Sequence, residues 1–187
     1  MSTGERLRLF VAAGVPEEHL DNIEECTKEI RDTVKEARWT PKQNQHITLK
    51  FLGGTDADLL PAVTDVCRDV AKGYRPFQVW ISGLGAFPSI KRARVLWMGI
   101  DDPYKGLDGI AGDLDRSLGN LGFTPETRAY TPHLTLARFK AAKRLIDPLP
   151  EVPLDASPIG IDHVSLYRSR VSSAGAVYES LERFPLG

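Results

Sequence analysis

HITLKFL at residues 46–52 and HLTLARF at residues 133–139 repeat one pattern, His-x-Thr-x, inside two apolar runs of strand character. Successive strand side chains point to opposite faces. His46 therefore shares a face with Thr48, and His133 with Thr135. Ile47, Leu49 and Phe51 in the first copy, and Leu134 and Leu136 in the second, are expected to point the other way, into a core. A strand rises about 3.3 Å per residue, which sets each His roughly 7 Å from its Thr, a span that suits an anion such as phosphate.

Outward from these strands the chain alternates strands and helices. Residues 6–13 (RLRLFVAA) read as a buried strand ended by Gly14 and Pro16. Residues 16–37 read as one amphipathic helix with Leu20, Ile23, Ile30 and Val34 on its apolar stripe. Trp39, Pro41 and Asn44 lead into the first motif strand, which Gly53-Gly54 ends. A second helix over residues 57–72 turns Leu59, Leu60, Val63, Val66 and Val70 inward. Strands over 76–86 and 94–100 are joined by the basic loop Pro88-Ser89-Ile90-Lys91-Arg92, whose shortness favours antiparallel pairing. A third helix over 103–121 closes at Gly122, and PETRAYTP (125–132) delivers the chain to the second motif. Residues 141–158, rich in proline and charge, read as an ordered surface connection, and 159–170 with 176–184 as a closing hairpin. With the motifs 87 residues apart, from 46 to 133, the expected architecture is α+β. One domain over residues 1–187 would hold two pseudo-symmetric lobes of mainly antiparallel sheet, helices outside, and a central cleft to which each lobe offers one His-x-Thr strand.

Two imidazoles facing one ligand can divide acid–base work. One takes a proton from the nucleophile and the other gives one to the leaving oxygen, and an unperturbed pKa of about 6.5 suits both tasks. Threonine hydroxyls are natural donors to non-bridging phosphate oxygens. The bland explanation, a half-buried histidine satisfied by backbone, is weakened because two of only four histidines share the pattern. His19, on the charged face of the first helix, and His163, in a late strand, read as structural or solvated. A metal site would need a further ligand, and no His-Glu or Cys cluster accompanies either motif.

The paired motifs and their surroundings resemble the two-histidine phosphoesterase superfamily, within it the RNA 2′,3′-cyclic phosphodiesterases or 2′-5′ RNA ligase family. The resemblance rests on LRLFVAAGVP (7–16), HITLKFLG (46–53), FPSIKRARVLW (87–97), YTPHLTLARF (130–139), LYRSR (166–170) and AVYESLERF (176–184), nearly the whole chain. It implies a phosphodiesterase without metal or cofactor that opens the 2′,3′-cyclic phosphate at an RNA 3′ end, or on a short oligonucleotide, to a 2′-phosphate. Reverse 2′-5′ ligation is implied as a side reaction. The resemblance also gives Arg138 a phosphate site, although strict alternation sets it with Leu134 and Leu136 unless the strand ends or bulges before it. Phe10 either stacks on a base or sits in the core; Arg128 and Tyr130 lead into the second motif as candidates to line the cleft. Lys91 and Arg92, with Arg94, either attract RNA phosphates or form an ordinary solvated turn. Trp97 reads as core, and Tyr167, Arg168 and Tyr178 match family positions to which spacing assigns no role. The alternatives are a phosphodiesterase for small cyclic nucleotides or ADP-ribose cyclic phosphate, and a non-catalytic nucleotide- or RNA-end-binding module. Which histidine is the base stays open.

A chain of 187 residues with 42% apolar and 26% charged residues is neither disordered nor fibrous in composition. Its net charge of -1 argues against a long nucleic-acid footprint and restricts RNA recognition to a few nucleotides at an end. Cys26 and Cys67 fall in helical patterns without metal-ligand spacing, as expected of free thiols in a reducing cytoplasm. The apolar stretch 9–15 runs straight into Pro16 and a charged helix, so it reads as a strand and not a signal sequence, and no stretch approaches membrane-spanning length. Nothing in the pattern demands a dimer, so a cytoplasmic monomer is expected.

Overall fold

Because each apolar run has a helix or a partner strand to bury it, the expected elements form close to their expected bounds. The computed structural model describes residues 5–154, 156–172 and 175–187. The strands are β1 (Arg6–Ala13), β2 (Arg38–Trp39), β3 (Ile47–Asp56), β4 (Phe77–Phe87), β5 (Ala93–Asp101), β6 (His133–Lys143), β7 (Ile159–Ile161), β8 (His163–Ser172) and β9 (Gly175–Pro185). The helices are α1 (Glu17–Cys26), α2 (Lys28–Thr33), α3 (Leu60–Lys72) and α4 (Gly106–Gly119). The strands join in one antiparallel sheet of order β7-β4-β5-β6-β3-β1-β8-β9, with β2 paired to β6. Read from the centre, β6-β5-β4-β7 mirrors β3-β1-β8-β9, so the expected pseudo-symmetric α+β arrangement is realised as two halves of one sheet. The halves meet at Ile47↔Leu134, the residue after each motif histidine.

Several boundaries differ from the periodicity: Gly53 and Gly54, expected to end the first motif strand, lie inside β3, which runs on to Asp56 because its edge stays paired with β1 as far as Arg6. The first helix is broken at Thr27, whose Oγ1 donates to the Ile23 carbonyl at 2.6 Å and whose backbone leaves the helical region. A buried hydroxyl bonding back to the preceding turn competes with the helix ladder, which apolar spacing cannot reveal. The run 159–170 is likewise two strands parted at Asp162: β7 pairs with β4 in one half, and β8 with β1 and β9 in the other. The expected closing hairpin is therefore β8–β9 alone, and two of its turn residues, Ser173 and Ala174, lie outside the described residues. Of the connection 141–158, residues up to Lys143 still belong to β6.

Ile23, Ile47, Leu96, Leu114, Leu134 and Leu136 belong to one continuous core. Through it runs a buried ion pair: Lys50 Nζ on β3, its side chain 2% exposed, meets Asp115 Oδ1 on α4 at 2.5 Å and the Thr124 carbonyl at 2.9 Å. Asp115 Oδ1 also accepts the Glu126 N–H at 3.0 Å, so the pair ties β3 to α4 and to the segment leading into the second motif. Cys26 and Cys67 are free thiols, and burial pushes Cys67 up to about 12. His19 is buried, the structural one of its two expected readings although the helix face looked charged, and His163 pairs with Asp162. Among the described residues no helix is long and apolar enough to cross a membrane.

Candidate active site

Extending the central Ile47↔Leu134 pair by one residue each way sets His46 opposite Thr135 and Thr48 opposite His133. Cross-strand neighbours share a face, so the four motif side chains form one square across the junction of the halves. His46 Nδ1 donates to the Asn44 carbonyl at 2.8 Å, and His133 Nδ1 to the Thr131 carbonyl at 2.7 Å. A carbonyl only accepts, so both Nδ1 atoms carry hydrogen and both Nε2 atoms remain for chemistry.

The two rings differ in their surroundings. Phe10 stacks on His46 at 4.8 Å between ring centroids, Tyr167 stacks behind Phe10 at 5.1 Å, and Tyr178 meets His46 edge-on at 5.3 Å. His133 has Phe87 edge-on at 5.0 Å and Trp97 at 6.0 Å. Burial, together with the nearby Arg138 guanidinium and the other imidazole, lowers His46 to about 4 against the lift from its bond to Asn44. His133 is lowered from its ordinary value by burial and by Arg138, against the lift from Thr131.

Strict alternation fails in each motif strand at a matching place, three residues after the histidine. In β3 the pairing runs Ala12↔Thr48, then Val11↔Lys50, skipping Leu49. Leu49 and Lys50 are both buried as a result, and Phe51, expected in the core, is 56% exposed on the side of Phe10, 6.0 Å away. In β6 the pairing runs Trp97↔Thr135, then Leu96↔Ala137, skipping Leu136. Leu136 and Ala137 are both buried, and Arg138 turns to the face of the histidines. An extra residue in one strand of a pair resets which face the following residues occupy. Arg138 thus reaches the site by a bulge, one of the two routes the sequence left open.

The other expected site residues sort by contact. Phe10, 3% exposed, is packing behind His46 and has no face free for a base. Tyr130 donates its hydroxyl to the Thr48 carbonyl at 3.0 Å, so it braces the first motif from the segment entering the second. Arg128 is exposed in that segment, and no contact among the described residues ties it to either histidine. Lys91 and Arg92 are exposed in the turn between β4 and β5. That turn lies beyond Ala93, whereas Trp97 and Gly99 are the β5 residues opposite Thr135 and His133, so roughly 13 to 20 Å of strand separates the turn from the square. Arg168 pairs with Glu5 at 2.5 Å. Trp97, expected as core, is half-buried beside His133. The sequence reading missed Phe51, Phe87 and Trp97 as site-facing residues. The available signal was the shared offset: Phe51 and Arg138 each lie five residues after a motif histidine. No group of three or more His, Cys, Asp or Glu among the described residues is placed to hold a metal ion.

Gly85 lies opposite Trp97 on β4, and a Cβ there would overlap the Trp97 ring. Gly85→Ala is therefore expected to displace the indole that packs beside His133. It should cost about 1–3 kcal/mol of stability and lower kcat, measured by urea unfolding and by steady-state turnover.

An antiparallel sheet of two mirrored halves, with a histidine and a threonine from each meeting at the junction, defines a paired-histidine class of site. The profile of the 2′-5′ RNA ligase superfamily matches residues 15–172, and the chain belongs to that family. It is 31% identical to the RNA 2′,3′-cyclic phosphodiesterase of Methanothermobacter thermautotrophicus, over 97% of this chain and 100% of the relative. It is 30% identical to the protein of the same name from Aquifex aeolicus, over 90% and 92%. Among solved structures it superposes on TT0787 of Thermus thermophilus with a TM-score of 0.82 at 29% identity, covering 96% and 98% of the two chains. It superposes on E. coli LigT complexed with 3′-AMP with a TM-score of 0.81 at 26% identity, covering 97% and 99%.

Proposed function

We propose that this protein is an RNA 2′,3′-cyclic phosphodiesterase: a single two-lobed domain, acting as a cytoplasmic monomer without metal or cofactor. It hydrolyses the 2′,3′-cyclic phosphate at the 3′ end of RNA or a short oligonucleotide to a 2′-phosphate. The observation that carries this is the square of His46, Thr48, His133 and Thr135, with both Nδ1 atoms held by carbonyls. His46 is the general base: lowered to about 4, its Nε2 is unprotonated at neutral pH. It takes a proton from water as the water oxygen attacks phosphorus in line. His133 Nε2–H gives its proton to the departing 3′ oxygen, the P–O3′ bond breaks, and the 2′-phosphomonoester remains. Thr48 and Thr135 donate to the non-bridging oxygens, and Arg138 offsets their charge. The same groups run the reverse 2′-5′ ligation, but water greatly exceeds any RNA 5′-hydroxyl, so hydrolysis dominates.

The test is a chelator-treated assay on a short RNA with a 2′,3′-cyclic end, with the product identified. Turnover to a 2′-phosphate is expected, and no turnover by the folded wild type overturns the reading. The pH profile is a second check. A base must be unprotonated and an acid protonated, so kcat/KM rises through the pKa of His46 near 4 and falls through that of His133, below 6.5. The expected kcat/KM optimum is therefore acidic. The kcat profile should lie higher, because bound phosphate favours both imidazolium forms.

A further inference from the structure

We infer that Arg38, with Arg138, forms a second anion subsite that takes the internal phosphodiester one nucleotide 5′ of the cyclic end. This rests on the proposed RNA-end substrate. β2 pairs with β6 in the register Arg38↔Arg138 and Trp39↔Ala137. Directly opposite residues of antiparallel strands share a face, so the two arginines stand side by side. Trp39 fixes which face that is. Its Nε1 donates to the Val34 carbonyl at 3.3 Å and Arg31 lies over its ring at 4.8 Å, so Trp39 turns toward the helices and its neighbour Arg38 toward the motif histidines.

Like charges directly opposite on a sheet are destabilising unless something neutralises them. Of the cations around β2, Arg31 pairs with Glu24 and Lys143 with Glu36. Arg38 and Arg138 are both exposed and have no carboxylate partner among the described residues. The missing counterion is an anion from solution, and guanidinium forks suit phosphate oxygens. The far side of Arg38 is held as well: its Nη2 packs on Gly175, where a side chain would overlap it. Asn44 Nδ2 reaches the same strand end, donating to the Ala176 carbonyl at 2.8 Å.

The position along the sheet selects the anion. On β5, Trp97 lies opposite Thr135 and Val95 opposite Arg138, so across the bulge the arginine pair sits two β5 residues, roughly 7 Å, further along the sheet than Thr135. Successive phosphates of a nucleic-acid strand match that step, so Arg138 faces the cyclic phosphate on one side and, with Arg38, the next phosphate on the other. Beyond the pair the same edge continues with exposed Arg94 and Lys140, which sets the direction of the 5′ chain.

The experiment compares kcat/KM for cytidine 2′,3′-cyclic phosphate, for the dinucleotide adenylyl-cytidine ending in a 2′,3′-cyclic phosphate, and for that dinucleotide with a neutral methylphosphonate linkage. Wild type, Arg38→Ala and Arg38→Lys are measured with each. The wild type should favour the charged dinucleotide over the mononucleotide by roughly ten- to a hundredfold, the range of a charge-assisted hydrogen bond or two. The neutral linkage should remove that preference. In Arg38→Ala the charged and neutral dinucleotides should be used alike, and Arg38→Lys should recover part of the preference. A wild type without the preference, or an Arg38→Ala variant that keeps it, overturns the inference while turnover itself upholds the proposed function. A wild type that turns over none of the three overturns both.

Discussion

His133→Ala and His46→Ala are each expected to lower kcat by about 10²- to 10⁴-fold, the usual worth of a positioned acid or base. The double variant should fall little further than the worse single one, because neither proton transfer helps without the other. His46 is held by one backbone carbonyl and a ring stack, and His133 by one carbonyl and two aromatic edges, so neither carries much of the core. Unfolding midpoints should therefore stay near the wild type. The pH profile separates the roles: residual activity of His46→Ala should lack the rise near pH 4, and that of His133→Ala should lack the fall below 6.5. A variant that loses activity but keeps its limb would reverse the assignment of base and acid.

Asp115→Ala should cost about 3–5 kcal/mol of folding stability, because it strands a buried lysine charge. Among the described residues Lys50 Nζ has Asp115 and the Thr124 carbonyl as partners, and its side chain is 2% exposed. Lys50→Met should cost less than Asp115→Ala, since the carboxylate left behind is 23% exposed and can regain water. Adding Lys50→Met to Asp115→Ala should recover part of the loss, and urea unfolding of the three variants checks the order. Burial alone would raise Asp115, but the hydrogen bonds from Lys50 and the Glu126 N–H outweigh it and hold the carboxyl below its ordinary range. A lowered carboxyl stabilises the fold above its unfolded pKa, about 3.9, and that contribution is lost as pH falls through the folded value. Asp115→Asn should accordingly flatten the acid end of the stability curve.

The motif histidines and threonines were legible because their information is local: type, spacing of two, and an apolar strand context are all present in HITL and HLTL. The α+β order of elements was legible for the same reason, since each run carries its own period. The partners of those runs were not. Residues 159–170 have a continuous strand pattern, yet Asp162 divides them between opposite ends of the sheet, because pairing depends on which edges are free after the chain has folded. Phe10 was ambiguous between base and core until Tyr167, 157 positions later, closed over its second face.

The composition of the site face rests on the two bulges. By alternation Lys50 would stand beside Thr48 facing substrate, and Phe51 would be buried. Asp115, on a helix 65 positions later, neutralises the lysine on the core side, and the strand takes up an extra residue to bring it there. Phe51 then faces the site. In β6 the same irregularity turns Ala137 inward and Arg138 outward beside Arg38, which no period in either segment announces. Sequence alone singled out the residues proposed for acid–base chemistry, because that choice depends on side-chain type and strand parity. Tertiary structure decided which charges and rings surround them, because a bulge is a property of two strands and the charge that anchors it comes from a third element.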